Sequence, residues 1–211
     1  MKKGIIFDLD GTLWDSAENV CRAWNEVFEA RGLSRRINPD EMHRYMGKTL
    51  DQIGELMFPE TEEALRGEIM NAACTNENAY LAKHGGRLFE DVVPVLERLR
   101  AEYSLFIVSN CQAGYIETFL GFFGLSYLFE DFECPGRTGL GKAENNRLVM
   151  ERCSLDRAVY VGDTQGDLDA ADAAGIPFIH AAYGFGTTNR EVPKIRSLRE
   201  LPEKVKEIFG E

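Results

Sequence analysis

Two aspartates at alternate positions, Asp8 and Asp10, follow the apolar run Gly4-Ile5-Ile6-Phe7 and precede Gly11-Thr12. In a strand, residues i and i+2 point the same way. Two carboxylates emerging together at a buried strand end repel and desolvate each other. A fold gains no stability from such a pair; it needs a cation, a proton or a substrate. Two more apolar runs stop in polar residues. Ser104-Leu105-Phe106-Ile107-Val108 ends in Ser109-Asn110, and Ala158-Val159-Tyr160-Val161 ends in Gly162-Asp163-Thr164-Gln165-Gly166-Asp167. Lys142 stands between them at the start of a helical stretch. Gathered at one place, these are four aspartates, one hydroxyl, one amide and one lysine. Clustered carboxylates without a cysteine or histidine partner suit a hard cation with oxygen ligands, Mg²⁺ first among them. Lys142 and a metal together would bind a phosphoryl group. An aspartate can attack phosphorus, and a second carboxyl two residues on can protonate the leaving alcohol and later deprotonate water.

The elements that must position these groups come in two textures. Residues 4–8 read as a fully buried strand. From Asp15 to about Lys83 no strand pattern appears. Asp15 and Ser16 can cap a helix, along which Val20, Ala23, Trp24, Val27 and Phe28 recur at helical spacing up to a stop at Gly32. Helical stretches follow over Asp40–Met46, Leu50–Met57 and Thr61–Ala82, punctuated by Gly47 and Pro59. This all-helical block spans residues 15–84, and His84-Gly85-Gly86 leads back out of it. From there helices (92–100, 114–123, 142–153, 167–174, 198–209) alternate with strands (104–108, 129–133, 158–161, 178–180). Repeated βα units imply a parallel sheet with right-handed crossovers. The expected fold is α/β: a doubly wound, Rossmann-like parallel sheet formed by residues 1–14 and 85–211, with residues 15–84 inserted as a helical cap domain. In such sheets ligands bind beyond the carboxyl ends of the strands, where the three polar clusters fall.

Bulk properties narrow the partners. The chain has 211 residues, 44% of them hydrophobic, and a formal net charge of -11. That charge argues against nucleic acid or an anionic membrane as a main partner and leaves a small phosphorylated metabolite, bound where a metal and a few basic residues focus positive charge. No segment approaches the roughly 18 apolar residues of a membrane span. The apolar stretch after the two N-terminal lysines is too short for a signal sequence, so a cytoplasmic location is expected. The five cysteines are scattered, without a C-x-x-C pair, which reads as reduced thiols. Cys111 lies close to Ser109 but has no histidine nearby in sequence to activate it. His43, His84 and His180 share no spacing that suggests a metal site.

At these residues the chain resembles the haloacid dehalogenase superfamily, and within it the phosphoglycolate-phosphatase-like group. That family carries D-x-D-G-T, a Ser or Thr at the end of the second strand, a Lys, and G-D-x-x-x-D, in this order. Here they are Asp8-Leu9-Asp10-Gly11-Thr12, Ser109, Lys142 and Gly162-Asp163 to Asp167. The resemblance covers nearly the whole chain, with the helical insertion matching the family's cap. Lys142 is followed by Ala143, where relatives commonly pair the lysine with proline. The resemblance implies a Mg²⁺-dependent phosphatase acting on a phosphomonoester through an aspartyl-phosphate. Asp8 would be the nucleophile and a metal ligand. Asp10 would be the acid/base and offer its backbone carbonyl to the metal. Asp163 would be a direct ligand, and Asp167 would hold Lys142 or a metal-bound water. Ser109 and the N–H groups beside it would bind phosphoryl oxygens, Lys142 would neutralise their charge, and Asn110 and Thr12 would support this loop.

An acid at position 10 favours ester cleavage, because an alkoxide needs a proton to depart and a halide does not. Mutases of the β-phosphoglucomutase type look similar at the N-terminus, including Ser16 and Arg22-Ala23-Trp24, but carry a His and a cap Arg where this chain has Val20 and Leu50. A non-catalytic binding module on the same scaffold would be expected to lack the nucleophile, the acid or the metal aspartate, and none is lost here. The cap is expected to close about hinges at 13–15 and 84–88 and to exclude water from the phosphoryl step. Substrate recognition then falls to Trp14, Arg44, Gly47, Lys48 and Thr49. Tyr183-Gly184-Phe185-Gly186 reads as a turn at the same sheet edge rather than a phosphate cradle, since no helix starts there.

Overall fold

A computed structural model describes residues 1–211. In chain order its elements are β1 (Lys3–Phe7), β2 (Trp14–Asp15), α1 (Ala17–Ala30), α2 (Pro39–Tyr45), α3 (Leu50–Met57), α4 (Glu63–His84), β3 (Arg87–Leu88), α5 (Val92–Arg100), β4 (Ser104–Val108) and α6 (Tyr115–Phe123). They continue as β5 (Asp131–Glu133), α7 (Pro135–Thr138), α8 (Lys142–Arg152), β6 (Arg157–Gly162), α9 (Gln165–Ala174), β7 (Phe178–Ala181), β8 (Lys194–Ile195) and α10 (Leu201–Phe209). Six strands form one sheet in the order β5-β4-β1-β6-β7-β8, with every pairing parallel. This is the α/β sheet expected from the βα repeats. The chain moves outward from β1 through β4 to β5, then crosses to β6 on the other side of β1. The strand order therefore reverses at β1, which is where open sheets form a binding crevice.

The two faces of the sheet follow from strand periodicity. Ile5 and Phe7 of β1, Leu105 and Ile107 of β4, and Val159 and Val161 of β6 belong to one apolar cluster. Ile6, Phe106, Val108, Ala158 and Tyr160 belong to another. The second cluster is covered by Val149 of α8 and Leu168 and Ala171 of α9. The first is continuous with the helical insertion, running through Leu13 and Trp14 to Trp24, Phe28, Ile69 and Leu81. Within the insertion, Trp24, Phe28 and Phe58 pack edge to face, a geometry that aromatic quadrupoles favour.

The elements differ from the sequence reading in several places. The strands around the hinges were invisible: Trp14 pairs with Leu88 and Asp15 with Arg87 in a two-residue antiparallel ladder, too short to show a period of two. Ser16 sits at the N-cap of α1 without a capping hydrogen bond; its hydroxyl is used elsewhere, and the Asp15 carboxylate accepts from the Ala17 N–H. The short elements α7 and β8 carried no signal. The C-terminal helix is preceded by a separate 3₁₀ turn over Leu198–Glu200, because Pro202 at the first turn of α10 favours a fresh helix start.

Candidate active site

The carboxyl ends of β1, β4 and β6 lie side by side. Asp8 follows β1, and its N–H extends the ladder to Val161 O at 2.8 Å. Gly11 then turns the chain at φ 81°, and a Cβ there would stand 2.3 Å from Asp163 Oδ2. A side chain at position 11 would therefore displace the carboxylate facing it. Ser109 follows β4, with its N–H directed to Glu133 O. Asp163 follows β6, and Thr164 caps α9 through the Asp167 N–H.

Lys142 projects from the first turn of α8 and is buried. Its Nζ donates to Asp8 Oδ1 at 3.0 Å and to Asp167 Oδ1 at 2.6 Å. Asp8, Asp163 and Asp167 are all buried, and each offers a carboxylate oxygen within 4.8 Å of the others. Three carboxylates thus face a single ammonium. Burial and the charge of Asp167 push Asp8 up to about 7, against the opposing pull of Lys142. Burial and the neighbouring Asp167 and Asp8 hold Asp163 well above the usual carboxylate range. Charge of this sign in a low-dielectric site calls for a cation.

The two acids closing β6 are used differently. Asp163 Oδ2 accepts from the Phe185 and Gly186 N–H groups at 2.7 and 3.2 Å, while Oδ1 is buried without any partner. Both oxygens of Asp167 are engaged. Oδ1 takes Lys142, and Oδ2 accepts from the Asp163 and Thr164 N–H groups and the Thr164 hydroxyl. Asp167 belongs to the same carboxylate cluster, and its bonded oxygens already hold Lys142 and the β6–α9 turn. The orphaned Asp163 Oδ1 and the cluster of hard oxygen donors fit a Mg²⁺-like ion.

Asp10 points elsewhere. Its Oδ1 accepts from Tyr115 Oη at 2.8 Å and Ser16 Oγ at 3.0 Å. Burial pushes it up to about 6, against the downward pull of these hydroxyl donors. It faces a cavity of about 60 Å³ between the sheet edge and the helical insertion, lined also by Trp24, Lys48, Glu77, Asn110 and Tyr115. Thr12 is buried, its hydroxyl without a partner. Asn110 Nδ2 donates to Gly47 O at 2.9 Å, tying the loop after β4 to the cap loop.

Of the cap residues singled out from the sequence, only Gly47 and Lys48 reach this cavity. Arg44 is exposed and lines a separate outer cleft with Thr164 and Phe185. Trp14 is fully buried, packed edge to face against Tyr115, Phe119 and Phe123. It fills the core between sheet and insertion and meets no ligand space, which corrects its place among the recognition residues.

Four contributions escaped the sequence. The loop Tyr183–Gly186, read as a turn, grips Asp163 through backbone N–H groups, and a Cβ at Gly184 would lie 2.4 Å from Asp163 Cβ and from Gly11 O. Its glycines and its place after β7 were the available signal. Tyr115 and Ser16 hold Asp10, with no local pattern to reveal them. Glu77, deep in α4, is a buried carboxyl in the cavity wall, pushed up to about 7 by burial.

Residues 5–181 match the family model described as haloacid dehalogenase-like hydrolase. The chain is 26% identical over 194 residues to a phosphoglycolate phosphatase of Rhodobacter capsulatus, covering 89% of this chain and 88% of that one. It is 26% identical over 195 residues to a phosphoglycolate phosphatase of Aquifex aeolicus, covering 90% and 89%. Its fold is similar to that of a haloacid dehalogenase-like family hydrolase from Streptococcus pneumoniae, with a TM-score of 0.81 at 20% identity over 96% of this chain and 98% of that one. CbbY from Rhodobacter sphaeroides, solved in complex with phosphate, gives a TM-score of 0.78 at 23% identity over 95% and 96%.

Proposed function

We propose, from the premise that this chain belongs to the haloacid dehalogenase-like hydrolase family, that it is a Mg²⁺-dependent phosphatase of small phosphomonoesters that works through an aspartyl-phosphate on Asp8. The observation that carries this reading is the separation of two carboxyls only two residues apart. Asp8 is anchored by Lys142, while Asp10 is held by two hydroxyls at the cavity wall. Environments that push neighbouring acids toward different tasks assign the nucleophile and the acid.

Lys142 fixes Asp8 Oδ1, so that Oδ2 meets the phosphorus in line with the leaving oxygen. As the Asp8–phosphorus bond forms and the phosphorus–oxygen bond of the ester breaks, Asp10 gives its proton to the departing alcohol. Water then attacks the phosphorus and passes a proton to Asp10, and the bond to Asp8 breaks with release of phosphate. Ser109, at the end of β4, receives phosphoryl oxygens with the Asn110 N–H beside it, and Lys142 balances their charge. Asp8, Asp163 and the Asp10 carbonyl would hold the metal. When bound, it shields the anionic nucleophile from the anionic phosphoryl group.

Residues 15–84 act as the cap. The bond from Asn110 to Gly47 O and the stacking of His43 on Phe185 at 4.2 Å support a cap that closes to keep bulk water from the phosphoryl step. The mutase alternative is less favoured, because apolar Val20 and Leu50 line the cavity where a second sugar-phosphate site would need polar groups. The test is release of phosphate from p-nitrophenyl phosphate and from alkyl phosphates. Release should require Mg²⁺ and be abolished in Asp8→Asn. Activity that survives in Asp8→Asn, or that ignores the metal, would overturn the reading.

A further inference from the structure

The cap buries a carboxyl that the phosphoryl chemistry does not use. Glu77 is 4% exposed. Its Oε2 accepts from the Trp24 indole N–H within the cap, and its Oε1 accepts from Gln112 Nε2 at 3.1 Å across the cleft. Gln112 is held in turn by Asn78 Oδ1 at 3.0 Å, so the carboxyl is fixed from both sides. Both donors are neutral. A carboxylate accepts about four hydrogen bonds, and two acceptor positions remain.

Glu77 lines the same cavity as Asp10, the acid that faces the leaving oxygen in the proposed reaction. The cavity of about 60 Å³ has room for a few water molecules. A leaving alcohol of two or three carbons fills it. Much of the wall is apolar, with Val20, Met42, Leu50 and Ile53 among its residues. Within it, Glu77 and Asp10 are the acidic groups, and Lys48 is the basic one. Lys48 is half-buried and lines the outer cleft as well, whereas the fully buried carboxylate acts through a medium of low dielectric constant.

We infer that Glu77 determines specificity: it selects leaving alcohols that present a hydroxyl or ammonium donor to the cavity and rejects those that carry a carboxylate. The inference rests on the phosphatase reading and narrows its substrate class to small hydroxylated or aminated alkyl phosphates. Phosphoglycolate, the substrate named for the curated relatives, would then be a poor one. A site built to bond a donor rejects an analogue lacking it far more strongly than an apolar pocket rejects one methylene.

The experiment compares kcat/KM for glycerol phosphate, ethanolamine phosphate, propyl phosphate and phosphoglycolate at pH 8, where Glu77 is charged. Wild-type enzyme should favour glycerol phosphate or ethanolamine phosphate over phosphoglycolate by about 100-fold or more. In Glu77→Gln that ratio should shrink by about 10-fold or more, with propyl phosphate much less affected. Preference for phosphoglycolate in the wild type overturns the inference, as does a Glu77→Gln effect equal on all four esters, which marks a purely structural role. Even if the variant fails to fold, a wild-type preference for phosphoglycolate still overturns the inference. Turnover of none of the esters, nor of p-nitrophenyl phosphate, overturns the phosphatase reading and this inference with it; turnover in the wrong order overturns this inference alone.

Discussion

Replacing Lys142 with methionine removes the one cation that faces Asp8 and Asp167 while keeping a long apolar stem along Tyr160, whose ring lies 5.8 Å from Nζ. Two buried contacts are lost, 3.0 Å to Asp8 and 2.6 Å to Asp167. Breaking a buried pair and stranding its partner costs about 3–5 kcal/mol. For a chain of this size that is a fall of about 6–20 °C in Tm. The loss must depend on pH, and Asp8 gives the sign. Its folded-state value, pushed up to about 7, lies above that of an unfolded aspartate. Its contribution therefore favours folding below about pH 4 and is lost as pH rises through about 7. Without the ammonium the folded value rises further, so the deficit of the variant widens between pH 5 and pH 8. Urea denaturation in EDTA at both pH values measures it, with the midpoint moving at constant m. The loss at pH 5 should be smaller than that at pH 8 by up to about 1.4 kcal/mol. An equal loss at both pH values, or a more stable variant at pH 8, would refute the reasoning.

Tyr115→Phe removes one of two donors that hold Asp10 in its charged form, so its pKa rises and the acid form persists to higher pH. The alkaline limb of kcat/KM for an alkyl phosphate should move up by about 1–2 pH units, from a charged hydrogen bond of about 1.5–3 kcal/mol; an unmoved limb contradicts the assignment of Asp10. Gly184→Ala would drive a Cβ into Asp163 and Gly11 O. Mg²⁺ affinity, read by calorimetry, should fall by about 10- to 100-fold, as for other groups that orient a metal ligand. Unchanged affinity would remove Asp163 from the metal set.

Much of the fold and part of the site were legible because they rest on local patterns. The strands flanking Asp8, Ser109 and Asp163 announce themselves as apolar runs ending in polar residues, and the parallel sheet brings those ends together. Lys142 was readable as a helix start, and the structure seats it between Asp8 and Asp167. What escaped depends on contacts between distant segments. Tyr115 reaches Asp10 across 105 positions, and Phe185 reaches Asp163 across 22. Ser16 looked like a helix cap because serine is suited to that role; only the tertiary fold offers its hydroxyl a carboxylate instead. Glu77 sits on a helix whose sequence shows no sharp amphipathic stripe, so nothing local marked it as buried. Trp14 was misplaced because a large aromatic beside a motif reads equally as a ligand platform or as core.

The claim that Asp8 is the nucleophile is tested most directly by trapping its phosphoryl adduct. p-Nitrophenolate leaves without needing a proton, so Asp10→Asn should still form the adduct from p-nitrophenyl phosphate while failing to activate the water that removes it. Acid quenching of that variant with Mg²⁺, followed by peptide mass spectrometry, should find a phosphoryl group on Asp8, absent when the metal is withheld. A phosphoryl group on any other residue, or no adduct in a variant that still releases p-nitrophenolate repeatedly, would contradict the account.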